Sequence, residues 1–284
     1  MGSRITLKNR CVFVTGGSLG IGLAITRELA SRGANVFIVA LEKDDPLQAA
    51  EQVACEFPSV RFGAAACDVS DYAAVQQAVE QMLEELGSVE GVVCNAGFDV
   101  PGYFAEKPAD EFRRLMEVNY LGSVHAAKCV LPHLSAGSFI SFTSSMAGVT
   151  GVFGYSSYCP TKFAQIGLAE TISQELGPQG IQVSVLCPPD TDTPGLRDES
   201  KRPPKETEAV TKNTRLMQAD VVARRFVDQL QAGKFHIKVN LTSHLIYRFK
   251  GLTPNIFRWA LNRAIGKAPR ENEQKIPVTT NGSK

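Results

Sequence analysis

A chain of 284 residues, 44% of them hydrophobic and 21% charged, has the make-up of an ordinary globular protein, long enough to bury a core without metal or disulfide staples. Its formal net charge of +1 excludes a molecule-wide field that would draw in nucleic acid. Seven scattered cysteines with no Cys-x-x-Cys pair argue against a disulfide framework and a structural zinc site, and no run reaches the roughly 18 apolar residues of a membrane span.

In chain order, Met1–Arg10 is short and polar and reads as neither signal peptide nor anchor. Cys11–Thr15 is a β-rich run ending at glycines, and Gly20–Arg32 has helical spacing and stops before Gly33. Asn35–Ala40 is a second strand. Leu47–Phe57 is a helix ending at Pro58, Val60–Ala66 a third strand, and Asp71–Leu86 a helix stopped by Gly87. Gly91–Cys94 is a fourth strand, and Ala109–Leu134 reads as one long helical region. Ser138–Thr143 is a fifth strand, Ser156–Leu176 a helix, and Ile181–Cys187 a sixth strand. Gly195–Gln218 is polar, contains Pro203 and Pro204, and reads as a flap out of the sheet. A helix over Asp220–Gln231 and a last strand over Phe235–Asn240 follow. Apolar strands separated by amphipathic helices predict an α/β fold: a doubly wound parallel sheet, seven strands wide, with helices on both faces.

Thr15–Gly22 reads TGGSLGIG between a strand and a helix, with Gly16, Gly20 and Gly22 in TGxxxGxG spacing. Glycines at such a turn let backbone approach a pyrophosphate, and the helix N-terminus offers free N–H groups to it. The glycines alone suit an ordinary turn; the strand–turn–helix context favours a dinucleotide. Asp68–Val69 and Asn95–Ala96–Gly97 follow the third and fourth strands, where ligands of open α/β sheets bind. The second strand ends at Ala40, where an acid would read a ribose 2′-hydroxyl. Its absence, with Lys43 nearby, favours NADPH over NADH, although Leu41 and Glu42 offer no positive charge.

Tyr158 and Lys162 are four apart on a predicted helix and share a face. An ammonium beside a phenol favours phenolate, which suits proton transfer to a forming alkoxide. Ser145, after the fifth strand, is placed to hydrogen-bond a substrate oxygen, and Asn119 to hold a water linked to Lys162. Each residue alone is ordinarily a surface pair, a cap or a turn residue. Their combination behind a glycine-rich turn points to an active site.

As a set, these motifs resemble the short-chain dehydrogenase/reductases over about residues 10–193. The resemblance implies a Rossmann-like domain with Asn119, Ser145, Tyr158 and Lys162 as catalytic residues, Ser145 being favoured over Ser144 by its spacing from Tyr158. It implies a cofactor site built from Gly16, Ser18, Leu19, Gly20, Ile21 and Gly22, then Ala40, Leu41 and Lys43. Asp68, placed for the adenine, joins Val69, Asn95, Ala96 and Gly97 in the same site, with Tyr158, Lys162 and Pro188, and with Thr191 and Thr193 in the segment that meets the nicotinamide carboxamide and phosphates. The strings CPPDTDTPG (Cys187–Gly195) and NYLGSV (Asn119–Val124) are similar to the 3-ketodihydrosphingosine reductase branch. That branch implies NADPH-dependent reduction of the 3-keto group of a sphingoid ketone. Leu41 departs from its usual arginine, and its eukaryotic membrane anchors are missing. Other readings are a relative acting on a steroid, retinoid or fatty acyl ketone, and a non-catalytic NADP-binding sensor whose mark would be a broken catalytic set.

Between Asp228 and Glu271 there is no acidic residue, while eight basic residues and Tyr247, Phe249, Phe257 and Trp259 interleave. Phe257, Ala260, Leu261, Ala264 and Ile265 form a helical stripe. The segment suits a membrane interface or a helix packed on the domain or a partner subunit. The expected layout is a dehydrogenase domain over 1–243 including the flap, a basic amphipathic extension over 244–270, and a disordered polar tail over 271–284. A lipid ketone, a membrane surface and a second copy of the chain are the expected partners, with no nucleic acid. The expected location is cytoplasmic, peripheral on the cytoplasmic face of a membrane.

Overall fold

The computed structural model describes residues 5–199, 204–207 and 216–266. Much of the expected flap and all of the expected tail lie outside them.

Strand β1 (Cys11–Thr15), β2 (Asn35–Ala40), β4 (Gly91–Cys94) and β5 (Phe139–Thr143) are buried along their whole length. With β3 (Phe62–Ala66), β6 (Gln182–Leu186) and the two-residue β9 (His236–Ile237) they form one sheet in the order β3-β2-β1-β4-β5-β6-β9. All six pairings are parallel. Alternate residues feed two cores, as the two-residue period of a strand requires. Phe13, Phe37, Val92, Phe142 and Val185 pack on one face with Val75, Met82 and Ala169. Val12, Val14, Ile38, Val93 and Leu186 pack on the other with Ile25, Leu29 and Phe226.

The helices Gly20–Ser31, Pro46–Glu56, Tyr72–Leu86, Tyr158–Leu176 and Ala219–Gln231 connect the strands. The long helix expected over 109–134 is divided: Ala109–Leu115 is α-helical, Met116–Leu121 winds as a π-helix, and Gly122–Val130 is α-helical again. A wider turn re-aims the backbone at Asn119, and such bulges concentrate at functional sites. The last strand, expected over six residues, pairs through only two.

The region after β6 leaves the sheet. Strand β7 (Thr191–Asp192) pairs in parallel with β8 (Met217–Gln218), so the excursion starts and ends side by side. Its first described part is a helix, Pro194–Glu199. The C-terminal extension is a pair of helices, Leu241–Leu252 and Pro254–Ile265. The first begins at Leu241, earlier than the expected boundary at 244, because Asn240 accepts a hydrogen bond from Ser243 N at 2.7 Å and caps it. It is tied to the sheet edge: Tyr247 Oη and His236 Nε2 are 3.0 Å apart, and Lys238 Nζ lies 3.6 Å from the Tyr247 ring centroid.

Candidate active site

The strand order reverses between β1 and β4, and a cleft of about 2100 Å³ opens at the carboxyl ends of the strands there. The glycine turn forms its floor. Gly16 adopts φ +62°, a left-handed conformation that favours glycine. A Cβ on Gly22 would fall 1.9 Å from the Gly16 carbonyl oxygen, so no side chain fits there. Leu19 precedes the helix Gly20–Ser31 without a side-chain cap, and no acid lies in its first turn. The N–H groups of that turn are thus left for an anion. This cradle fits the pyrophosphate of a dinucleotide.

Thr15 and Asn95 lock the cradle to the next loop. Thr15 Oγ1 accepts hydrogen bonds from Asn95 N at 2.9 Å and Ala96 N at 3.0 Å, and Asn95 Nδ2 donates to Gly16 O at 3.2 Å. Thr193 stands over Gly20, 3.2 Å from where a Cβ would be. Ser18, Leu19, Ile21, Asn95, Ala96 and Gly97 line the same cleft, as do Pro188 and Thr191. Among the expected cofactor residues only Gly22 does not line it, because it packs against Gly16.

At the far end, Ala40, Leu41 and Lys43 line the cleft together with Asp44. Asp68 and Val69 follow β3. Burial pushes the Asp68 carboxyl up, but hydrogen bonds from Ser70 Oγ and N and the cation of Arg114 outweigh it and hold the group below its usual range. Its second oxygen lies 3.8 Å from Arg114.

Tyr158 begins the helix Tyr158–Leu176, and Lys162 lies one turn on, 3% exposed, with Nζ 5.4 Å from the Tyr158 ring centroid. Lys162 Nζ also donates to Thr143 O at 2.8 Å. The two serines after β5 differ. Ser144 is buried and donates its hydroxyl to Lys162 O at 2.8 Å. Ser145 accepts from Ala147 N at 3.1 Å and keeps its own O–H proton to donate. Both line the cleft with Tyr158 and Lys162.

Asn119 is fully buried and its side chain is engaged by protein. Oδ1 accepts from Phe98 N at 3.0 Å, while Nδ2 donates to Phe98 O at 2.9 Å and Thr161 Oγ1 at 3.2 Å. It joins the loop after β4 to the Tyr158 helix. Its own carbonyl accepts from Ser123 Oγ and Gln165 Nε2. Asn119 Oδ1 and Lys162 Nζ both border Gly97, 2.9 and 3.5 Å from where a Cβ on it would be, but the hydrogen bonds of the Asn119 side chain give it a clamping geometry. Sequence reasoning missed Thr15 as the loop lock, although it opens the glycine motif. It also missed Asp44, Tyr155 and Asp190 on the cleft wall, none of which carries a recognisable spacing.

The strap after β6, residues 187–196, forms one wall of the site. Ser144 N donates to Leu186 O at 2.8 Å and Met146 N to Pro188 O at 3.0 Å, fixing it beside Ser145. Burial raises the carboxyl of Asp190 on this strap above its usual range. The cleft then runs on to Ile246, Phe257 and Leu261 of the C-terminal helices. The apolar stripe expected on the second helix therefore divides. Phe257, Leu261 and Ile265 are half-buried and face inward, whereas Ala260 and Ala264 are exposed.

The family profile described as short chain dehydrogenase matches residues 10–204. A 3-dehydrosphinganine reductase of Danio rerio is 38% identical over 236 residues, 81% of this chain and 71% of that protein. A 3-dehydrosphinganine reductase of Arabidopsis thaliana is 33% identical over 96% of this chain and 89% of its own length. A short chain dehydrogenase from Burkholderia cenocepacia, solved in complex with NADP, superposes with a TM-score of 0.70 at 28% identity, covering 83% of this chain and 95% of that one.

Proposed function

The chain belongs to the short-chain dehydrogenase family, and from that footing we propose that it reduces the 3-keto group of 3-ketodihydrosphingosine to dihydrosphingosine, a step of sphingolipid synthesis, using NADPH. It is an oxidoreductase that binds a nicotinamide cofactor. The observation that carries the substrate assignment is the continuity of one cleft from the glycine turn, past Ser145 and Tyr158, to the apolar Phe257 and Leu261. A polar reaction centre continued by an apolar wall suits a ketone on a long alkyl chain.

When bound, the reduced nicotinamide supplies a hydride to the ketone carbon. Tyr158 donates its phenolic proton to the ketone oxygen as negative charge develops there. Ser145 donates a hydrogen bond to the same oxygen. The nearly buried Lys162 ammonium favours the phenolate left on Tyr158. Asn119 holds the loop after β4 against the Tyr158 helix through Phe98 and Thr161. The NADPH preference rests on Ala40, which places no carboxylate where a 2′-phosphate would lie, with Lys43 beside it. Asp44 on the same wall keeps that preference modest. The assay is NADPH oxidation with 3-ketodihydrosphingosine and detection of dihydrosphingosine by mass spectrometry. Faster turnover of a steroid, retinoid or 3-ketoacyl substrate, or none at all, overturns the assignment.

A bilayer surface is the place where such a substrate is met. Among the described residues no helix is long and apolar enough to cross a membrane. The outer face of the C-terminal helices instead carries Leu241, Leu245, Phe249, Leu252, Ile256 and Trp259, all exposed. Exposed Arg248, Arg258 and Arg263 flank them, a pattern that suits an anionic membrane interface.

A further inference from the structure

A second cavity, of about 600 Å³, lies beside the main cleft, between the segment 150–160 and the inner face of the helix Pro254–Ile265. Val152, Phe153, Cys159 and Pro160 line it from the body of the domain, and Phe257, Leu261 and Ile265 from the helix. It is continuous with the cleft, for Thr150, Gly151, Val152, Tyr155, Phe257 and Leu261 line both.

The cavity is mostly apolar, with the hydroxyl residues Thr150 and Ser156 also on its wall. Phe257, Leu261 and Ile265 are four residues apart, so one helix face presents all three. Cys159 is buried, and burial pushes its thiol up, so it serves there as a small apolar group. Lys250 also borders the cavity, but its ammonium is turned to Val149 O and lies 4.8 Å from the Phe163 ring centroid. Asn255, Arg258 and Asn262 are exposed and form a polar rim.

We infer that this cavity is the subsite for the alkyl arm of the substrate, with Phe257, Leu261 and Ile265 as its specificity wall. The inference rests on the reduction of a long-chain amino ketone proposed above. A ketone held at Tyr158 has two arms: a short polar one with its hydroxyl and ammonium, and an alkyl one. Tyr155 and Tyr158 lie close, ring centroids 6.1 Å apart, so the passage into the second cavity begins at the reaction centre. The volume is of the size that holds a small apolar ligand, roughly 300–1,000 Å³. The occupant is thus an aliphatic chain that leaves the ketone, passes Tyr155 and Val152, and ends between Pro160 and Ile265.

Each methylene that enters the cavity is worth about 0.8 kcal/mol, roughly fourfold in kcat/KM. The test uses the full chain and a series of 2-amino-1-hydroxy-3-ketones of increasing alkyl length. The expected result is a steep rise of kcat/KM with length until the cavity is filled. In Leu261→Trp and Ile265→Trp the long-to-short ratio of kcat/KM should fall at least tenfold. Leu261→Ala, which enlarges the cavity and threatens folding less, should shift the preferred length upward. A flat length profile in the wild type, or variants that lower short and long substrates equally, overturns the subsite. If the amino ketones are not turned over but a series of simple alkyl ketones shows the same gradient and the same response to Leu261→Trp, the subsite stands and the sphingoid assignment falls. Turnover of the amino ketones without a gradient has the opposite meaning.

Discussion

Tyr158→Phe removes one oxygen and leaves the ring against Tyr155 and the Lys162 ammonium. Turnover should fall by about 10²–10⁴ or more, the range for loss of a positioned acid, while cofactor affinity holds. Single-turnover rates and a fluorescence titration with NADPH check both halves, and near-normal turnover would take Tyr158 out of the mechanism. Lys43→Ala should weaken NADPH more than NADH; equal weakening in the two titrations assigns the 2′-phosphate contact elsewhere. At this scale the sequence was informative where chemistry and helical period coincide, as for Tyr158 and Lys162. It was silent where the partner is remote in the chain. Nothing near Asn119 announces that its amide is engaged by Phe98 and Thr161, twenty-one and forty-two residues away. Nor does the Ser144–Ser145 pair announce which hydroxyl is committed to Lys162 O until the fold is known.

The elements divide in the same way. β1, β2 and β4 have the bounds expected because each is a short, wholly buried apolar run set off by glycine or polar residues. The π-helix over Met116–Leu121 was not legible, since six residues are too few to separate its period from that of an α-helix. The C-terminal helices were legible as amphipathic, but the pattern left open which face packs on the domain. With Phe257 and Leu261 facing inward, membrane docking should depend on the opposite side. Leu245→Ser/Trp259→Ser should abolish co-sedimentation with anionic liposomes at low salt, whereas Phe257→Ser should spare it. Equal binding by all three proteins would show that the outer face is not the membrane contact. The junction between β9 and the first of these helices also has a pH signature. Burial first, and then the Lys238 cation, lowers the His236 pKa against the opposing pull of Glu170, and Tyr247 shares its hydrogen bond. The unfolded chain therefore binds a proton at about pH 6.5 that the folded chain resists, so this contribution is complete above that pH and is lost as pH falls below it. The Tm should drop more between about pH 7.5 and 5.5 in the wild type than in His236→Gln, and parallel curves would remove His236 from the junction.

For the whole molecule, the cysteines report whether the sheet and its two cores behave as one closed unit. Cys55 is exposed on the helix Pro46–Glu56, while the other six are buried. Five of them, Cys11, Cys67, Cys94, Cys129 and Cys187, belong to the core on a single face of the sheet. Burial, with Asp68 and Asp71 adding to it, pushes the Cys67 thiol up to about 11, and burial pushes Cys187 up to about 12. A thiolate is the reacting species, so both are protected twice, by access and by protonation. A thiol reagent at neutral pH should find one fast group in the native protein and seven in denaturant, and Cys55→Ser should remove the fast class. The slow class then measures opening of that face, because a buried thiol reacts only through local or global unfolding. Cys67 also lines the cofactor cleft, between Ala40 and Asp68. NADPH should accordingly slow Cys67 beyond the general stabilisation that ligand binding gives the fold. Mass mapping of the labelled peptides separates the two effects: equal protection of Cys67 and Cys129 would mean stabilisation alone, whereas selective protection of Cys67 would set the cofactor at that end of the cleft.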